Sequence, residues 1–200
     1  MKLRQKIKGC YPQTKIILES ADKFWIADLS RYSDNKKKVT VLLTENEVVS
    51  DTRGRTFNVN FLCVENPNIL PVSIAIFDDH QFKKADNTDD VHCEGCFFPY
   101  FTCGNRWIAF LEIKDRKNVT EFRKDAKEQL INTIIHFKKN KILFNEQLFA
   151  IISWPKKKMS FNDLIFTDPI EQKQLKKQYG AIFVATNRIQ IDDDENLIIL

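Results

Sequence analysis

The stretch Leu111-Glu112-Ile113-Lys114 closes an apolar run that begins at Trp107 and Ile108. In a strand, alternate side chains share a face, so Glu112 and Lys114 point the same way. A carboxylate and an ammonium at the end of a largely buried strand are costly unless they pair or bind something. A turn centred on Cys103 folds the preceding segment back and sets Glu94 opposite Glu112. Facing residues in a ladder have Cβ atoms about 5 Å apart. Two carboxylates at that spacing repel each other unless a cation lies between them. A divalent ion is the usual solution, and Mg2+ (or Mn2+) suits hard oxygen donors. Lys114 beside it would orient an attacking water or stabilise charge on a phosphate. A register shift of one residue would separate the two acids.

The surrounding pattern supplies elements to hold these groups. Strands are expected over 91–100 and 106–114, joined by a Gly104-Asn105 turn signal. A helix follows over 119–139, with Asn118 or Thr120 as N-cap and Glu121 in its first turn. Phe122, Ala126, Leu130, Ile134 and Phe137 draw one apolar stripe, widened by Ile131 and Ile135. At about 100° per residue Gln129 falls on the edge of that stripe, within reach of the strand ends. His136 falls on the same edge, where it reads as a surface or packing residue. A buried strand over 148–154 is stopped by Pro155, and a second helix over 169–179 ends at Gly180. A strand over 181–186 and a short terminal β segment complete the chain.

The first ninety residues read mostly as short strands, over 15–18, 24–29, 39–43, 47–49, 56–64 and 72–77. The segment 11–20 is also compatible with a short helix, and 78–90 reads as a loop. The expected fold class is α/β (α+β), a central mixed β-sheet flanked by helices. A β-rich region over 1–88 would pack on a core over 89–200, the whole forming one compact domain.

Composition excludes several classes. Of 200 residues, 43% are hydrophobic and 29% charged, with 16 Phe and 3 Trp to build a core, so disorder, collagen and coiled coil are poor readings. No apolar run approaches the roughly 20 residues that span a bilayer. The basic N-terminus, Met1 to Lys6, is followed by no apolar signal core, so a cytoplasmic location is expected. The net charge of +4 is too small to argue for nucleic acid by itself. The lysines are clustered, however, at Lys36 to Lys38, at Lys138, Lys139 and Lys141, and at Lys156, Lys157 and Lys158, and an acidic run from Asp192 to Glu195 sits near the C-terminus. Clustered cations follow a phosphate backbone, although solvated surface lysine gives the same pattern. The five cysteines are odd in number, which disfavours a disulfide framework. Cys93, Cys96 and Cys103 with His92 have the composition of a zinc site, but residues three apart on a strand face opposite ways. Buried free thiols are the simpler reading.

The order of an acid on one strand, a hairpin, an apolar strand ending in Glu-x-Lys and an amphipathic helix resembles the PD-(D/E)xK, or restriction-endonuclease-like, nuclease superfamily. The matching residues are Glu94, Glu112, Lys114 and Gln129, and the likeness covers about 90–155. It implies a metal-dependent nuclease: Glu94 and Glu112 hold Mg2+, Lys114 assists the nucleophile and Gln129 supports the site. It implies nucleic acid, DNA first, as partner. The basic groups Lys138, Lys139, Lys141, Lys156, Lys157 and Lys158 would contact the backbone, and a homodimer would make two scissions. Roles in restriction, repair or phage defence follow by the same resemblance. The chain departs from the pattern in two places: the first acid is Glu rather than Asp, and Cys93 stands where the family often has Pro. Asp89 or Asp90 is the alternative first acid, and the family's frequent upstream helical Glu has no clear counterpart, Glu19 being the one candidate. The rival readings are an inactive nuclease-like binding or structural subunit, with Trp25, Phe57 and Phe61 as anchors, and a zinc-stabilised adaptor.

Overall fold

A computed structural model of the chain describes residues 2–28, 39–43, 48–50, 56–58, 61–77, 80–100, 107–114, 118–157 and 161–200. In chain order its elements are α1 (Leu3–Cys10), β1 (Lys15–Glu19), β2 (Lys23–Asp28), β3 (Val39–Leu42), β4 (Val48–Ser50), β5 (Thr56–Asn58), β6 (Leu62–Glu65), β7 (Val72–Ile76), β8 (Gly95–Pro99) and β9 (Trp107–Ile113). There follow α2 (Val119–Lys139), β10 (Gln147–Ser153), α3 (Asn162–Ile165), α4 (Pro169–Tyr179), β11 (Ala181–Ala185), β12 (Arg188–Ile191) and β13 (Leu197–Ile199).

The central sheet has the order β1-β7-β8-β9-β10-β11. From β1 to β9 neighbouring strands run antiparallel; β10 and β11 then join parallel. Parallel neighbours require crossovers, and α2 and α4 supply them. A second mixed sheet, β13-β12-β6-β2-β3, covers the other face. Every residue of β9 is buried, as expected of a strand sandwiched between layers. Its even-numbered residues Ile108 and Phe110 join the helix-side core with Ala126, Leu130, Ile134 and Phe137 of α2. Its odd-numbered residues Trp107, Ala109, Leu111 and Ile113 join the core shared with the second sheet. The fold is thus a central mixed sheet with helices on one side and a sheet on the other.

The boundary at residue 88 does not divide these layers. β1 and β7 are strands of the central sheet, while β12 and β13 extend the second sheet beside β6. Three local expectations change. The N-terminal helix occupies 3–10, where Ile7 is buried and Leu3 packs on the core, and 15–19 forms β1. The segment 56–64 contains two strands rather than one. The acidic run builds the β12–β13 turn: Asp192 Oδ1 accepts the Asp194 and Asn196 N–H groups at 3.0 and 2.7 Å. Among the described residues no helix is long and apolar enough to cross a membrane.

Candidate active site at the end of the central hairpin

The β8–β9 ladder pairs Gly95 with Leu111, Cys96 with Phe110 and Phe97 with Ala109. Continuing it by one step puts Glu94 opposite Glu112, the register that a turn at Cys103 sets. The turn itself, with Cys103, lies outside the described residues. Gly95 makes the approach of β8 to β7 feasible, because a Cβ there would collide with the Ala75 carbonyl. The chain enters β8 under tight restraint. Thr133 Oγ1 on α2 accepts the Cys93 N–H at 2.9 Å and donates to the Gln129 carbonyl at 2.8 Å. Glu94, half-buried, has its carbonyl bonded to the Phe77 N–H at 3.1 Å.

Glu112 faces the helix layer and its side chain is 0% exposed. The Lys114 N–H donates to the Ser153 carbonyl at 2.9 Å, which extends the β9–β10 ladder and keeps Lys114 on the Glu112 side. Its Nζ lies 2.5 Å from Glu112 Oε1. The same amine donates to Gln129 Oε1 at 2.7 Å, and Gln129 Nε2 donates to the His92 carbonyl at 3.1 Å. Acid, amine, amide and the strand entrance therefore form one continuous chain of contacts. Glu112 Oε1 meets the amine at ion-pair distance without hydrogen-bond alignment, and Oε2 is buried with no hydrogen-bond partner.

Burial pushes the Glu112 carboxyl up to about 7; the Lys114 charge and contact oppose this, Asp28 adds to it, and the approach of the Glu94 N–H, short of a well-aligned hydrogen bond, counters it. Burial pulls the Lys114 amine down, but Glu112, and then Glu94 and Asp28, outweigh it and hold the amine above its usual range. The two directions pull against each other, since the amine is raised only while Glu112 carries charge. The close contact with a carboxylate favours a charged amine, whereas desolvation decides the acid.

Asp28 ends β2 on the second sheet and is 9% exposed. Its charge reaches both Glu112 and Lys114, and sequence reading missed it. The available signal was an acid closing the apolar run Phe24-Trp25-Ile26-Ala27, the same pattern that marks Glu112. The alternative first acids are engaged elsewhere. Asp89 pairs with Lys83 and His80 at the surface. Asp90 meets His136 Nε2 at 3.0 Å, seven residues, or about 10 Å, along α2 from Gln129. Glu19 is not on a helix; it ends β1 and accepts the Ser20 and Ala21 N–H groups. Trp25 is a core residue, packed with Ala27 and Leu42 and contacted by Phe61, whereas the Phe57 side chain lies outside the described set.

The basic residues separate. β9 and β10 run parallel, Trp107 beside Gln147 at one end and Ile113 beside Ser153 at the other. α2 starts near Lys114 and finishes at the opposite sheet edge, so Lys138, Lys139 and Lys141 lie about 15 Å or more from Glu112. Lys138 there donates to the Tyr179 carbonyl at 2.6 Å. Lys156 and Lys157 follow β10 after Trp154 and Pro155 and lie at the Glu112 edge. Lys158 and Lys36 to Lys38 fall outside the described residues. Cys93 and Cys96 are buried core thiols, Cys93 pushed up to about 12 by burial and Cys96 raised for the same reason. Among the described residues no three His, Cys, Asp or Glu side chains are grouped to hold a metal. No family model, curated protein or solved structure matches the chain.

Proposed function

We propose that the chain is a metal-dependent nuclease of the PD-(D/E)xK kind that hydrolyses phosphodiester bonds in DNA. The observation that carries this reading is the Glu112–Lys114–Gln129 contact chain in register with Glu94. It lies at the end of an antiparallel hairpin that passes through a crossover helix into a parallel strand. The donor set fits Mg2+ or Mn2+: Glu112 and Glu94 offer hard oxygens, and Glu112 Oε2 is buried without a hydrogen-bond partner. Two carboxylates leave most of the coordination to water and phosphate, which suits an ion that keeps its waters. When bound, such an ion would supply charge neutralisation and a more acidic water.

The remaining roles belong to the chain. Lys114, whose side chain is 17% exposed, is the part of the pair that solvent reaches, so its amine would donate to a phosphate oxygen or to the attacking water. Gln129 holds that amine over the strand end, and His92 and Thr133 hold Gln129 and the β8 entrance. Incubating plasmid and single-stranded DNA with the protein and Mg2+ or Mn2+ tests the reading. Cleavage is expected, and Glu112→Ala and Lys114→Ala should each abolish it in folded protein.

A second reading is favoured by one specific observation. Glu112 is wholly enclosed and already paired with Lys114, as in a structural network of an inactive nuclease-like subunit. Folded protein that cleaves no nucleic acid under any of these conditions would establish that alternative.

A further inference from the structure

The turn that follows β10 is built with more constraint than a connecting loop requires. Trp154, Pro155, Lys156 and Lys157 form it, closed by the Lys157 N–H on the Trp154 carbonyl at 2.8 Å. Proline second in such a turn pre-sets the backbone. Trp154 is 0% exposed and anchors the turn in the helix-side core. Asn187, just past β11, organises the rest. Its Oδ1 accepts the Ser153 hydroxyl at 2.9 Å and the Trp154 N–H at 2.7 Å. Its Nδ2 donates to the Trp154 and Lys157 carbonyls, both at 2.9 Å. All four hydrogen-bonding positions of the amide are used, three on this turn and one on Ser153 at the end of β10. The Asn187 carbonyl also accepts the Cys63 N–H at 2.9 Å, which ties the bracket to the second sheet.

The bracket joins the candidate site without a gap. Ser153, which Asn187 holds by its side chain, accepts the Lys114 N–H through its carbonyl. Lys156 and Lys157 are therefore carried on a braced turn that starts at Trp154, one residue past the Ile113–Ser153 ladder pair. Lysines on a turn at this end of the sheet suit a phosphate backbone, and ordering their backbone in advance lowers the entropy lost on binding.

We propose that the turn from Trp154 to Lys157 is the phosphate-backbone clamp of the site, with Lys156 and Lys157 contacting DNA and Asn187 acting as their positioning residue. This rests on the nuclease reading, and the test separates the two. Binding of a labelled 20-base-pair DNA duplex would be followed by fluorescence anisotropy in EDTA, so that no cleavage intervenes, over a range of NaCl. Lys156→Ala/Lys157→Ala is expected to weaken binding about tenfold and to lower the salt slope by about 0.9 per lost contact. Lys138→Ala/Lys139→Ala should change affinity less than twofold. Asn187→Ala, if its circular dichroism is native, should weaken binding three- to tenfold; if it does not fold, the lysine pair decides. Unchanged binding by Lys156→Ala/Lys157→Ala, or an equal loss in the Lys138 and Lys139 pair, overturns the clamp. Native Asn187→Ala with wild-type affinity overturns the positioning role. Absence of any binding by the wild-type chain overturns the nucleic-acid reading itself.

Discussion

The two edges of the central sheet both carry lysines, and they use them differently. Where β9 and β10 begin, lysines close backbone ends. Lys138 sits on the last carbonyl of α4, and Lys6 donates to the Lys141 and Ile142 carbonyls at 3.4 and 3.1 Å. These are the unsatisfied carbonyls that helix C-termini and turns leave, and a cation there is stabilising. Where β9 and β10 end, the amine of Lys114 meets a buried carboxylate instead. The first use needs only a carbonyl, so it tolerates water and small displacements. The second encloses a charge, so it is costly to disturb. In open α/β sheets the carboxyl ends of parallel strands are also where ligands bind. The contrast identifies the Glu112 edge as the one under chemical constraint.

The largest difference between the edges should come from Lys114→Ala. It strands Glu112 in a fully enclosed position, and removing one partner of a buried pair costs about 3–5 kcal/mol. Urea unfolding at pH 8 should show a loss of that order. At pH 5 the loss should be smaller, because a protonated Glu112 needs no counter-ion. A loss at pH 8 no greater than that of an exposed lysine would remove the contrast.

Glu112→Gln sharpens the same comparison with the opposite sign. The folded carboxyl lies at about 7, above the roughly 4.3 of an unfolded glutamate. Glu112 therefore favours folding fully below the unfolded value, and that contribution is lost as pH rises through the folded value. A glutamine at this position does not titrate. Its stability relative to the parent chain should rise between about pH 4 and pH 8, by on the order of 3–4 kcal/mol. A difference that stays flat over this range would mean that the amine, not burial, controls the acid.

Much of this edge was legible in the sequence because it is local. The hairpin places Glu94 and Glu112 at equal distances from Cys103, and period-two geometry puts Lys114 beside Glu112. Helical arithmetic brings Gln129 to the stripe edge, where its amide now meets the Lys114 amine. Asp28 was not legible, because it reaches the site through a second sheet whose strands are separated by long stretches of chain. Asn187 was hidden for a similar reason: its four side-chain hydrogen bonds reach about thirty positions back, to Ser153, Trp154 and Lys157. α1 escaped notice because Ile7 is its one buried residue, too little to draw a periodic stripe. The division of the lysines could have been deduced, since a parallel crossover carries the end of α2 away from the end of β9.

The smallest effect should come from Lys138→Ala. The amine is exposed and caps the Tyr179 carbonyl, next to Gly180 in the left-handed conformation that ends α4. The carbonyl it releases can turn to water, so no buried group is left unpaired. A cation at a helix C-terminus contributes about 0.3–1 kcal/mol at low ionic strength, and salt screens it. The substitution should cost about 0.5 kcal/mol in urea unfolding at 20 mM salt, and less at 500 mM. Because the partner is a neutral carbonyl and not an acid, the cost should be the same at pH 5 and pH 8. A cost that rose with pH as that of Lys114→Ala does would place an ionising acid at this edge too, and the two ends of the sheet would then differ in degree and not in kind.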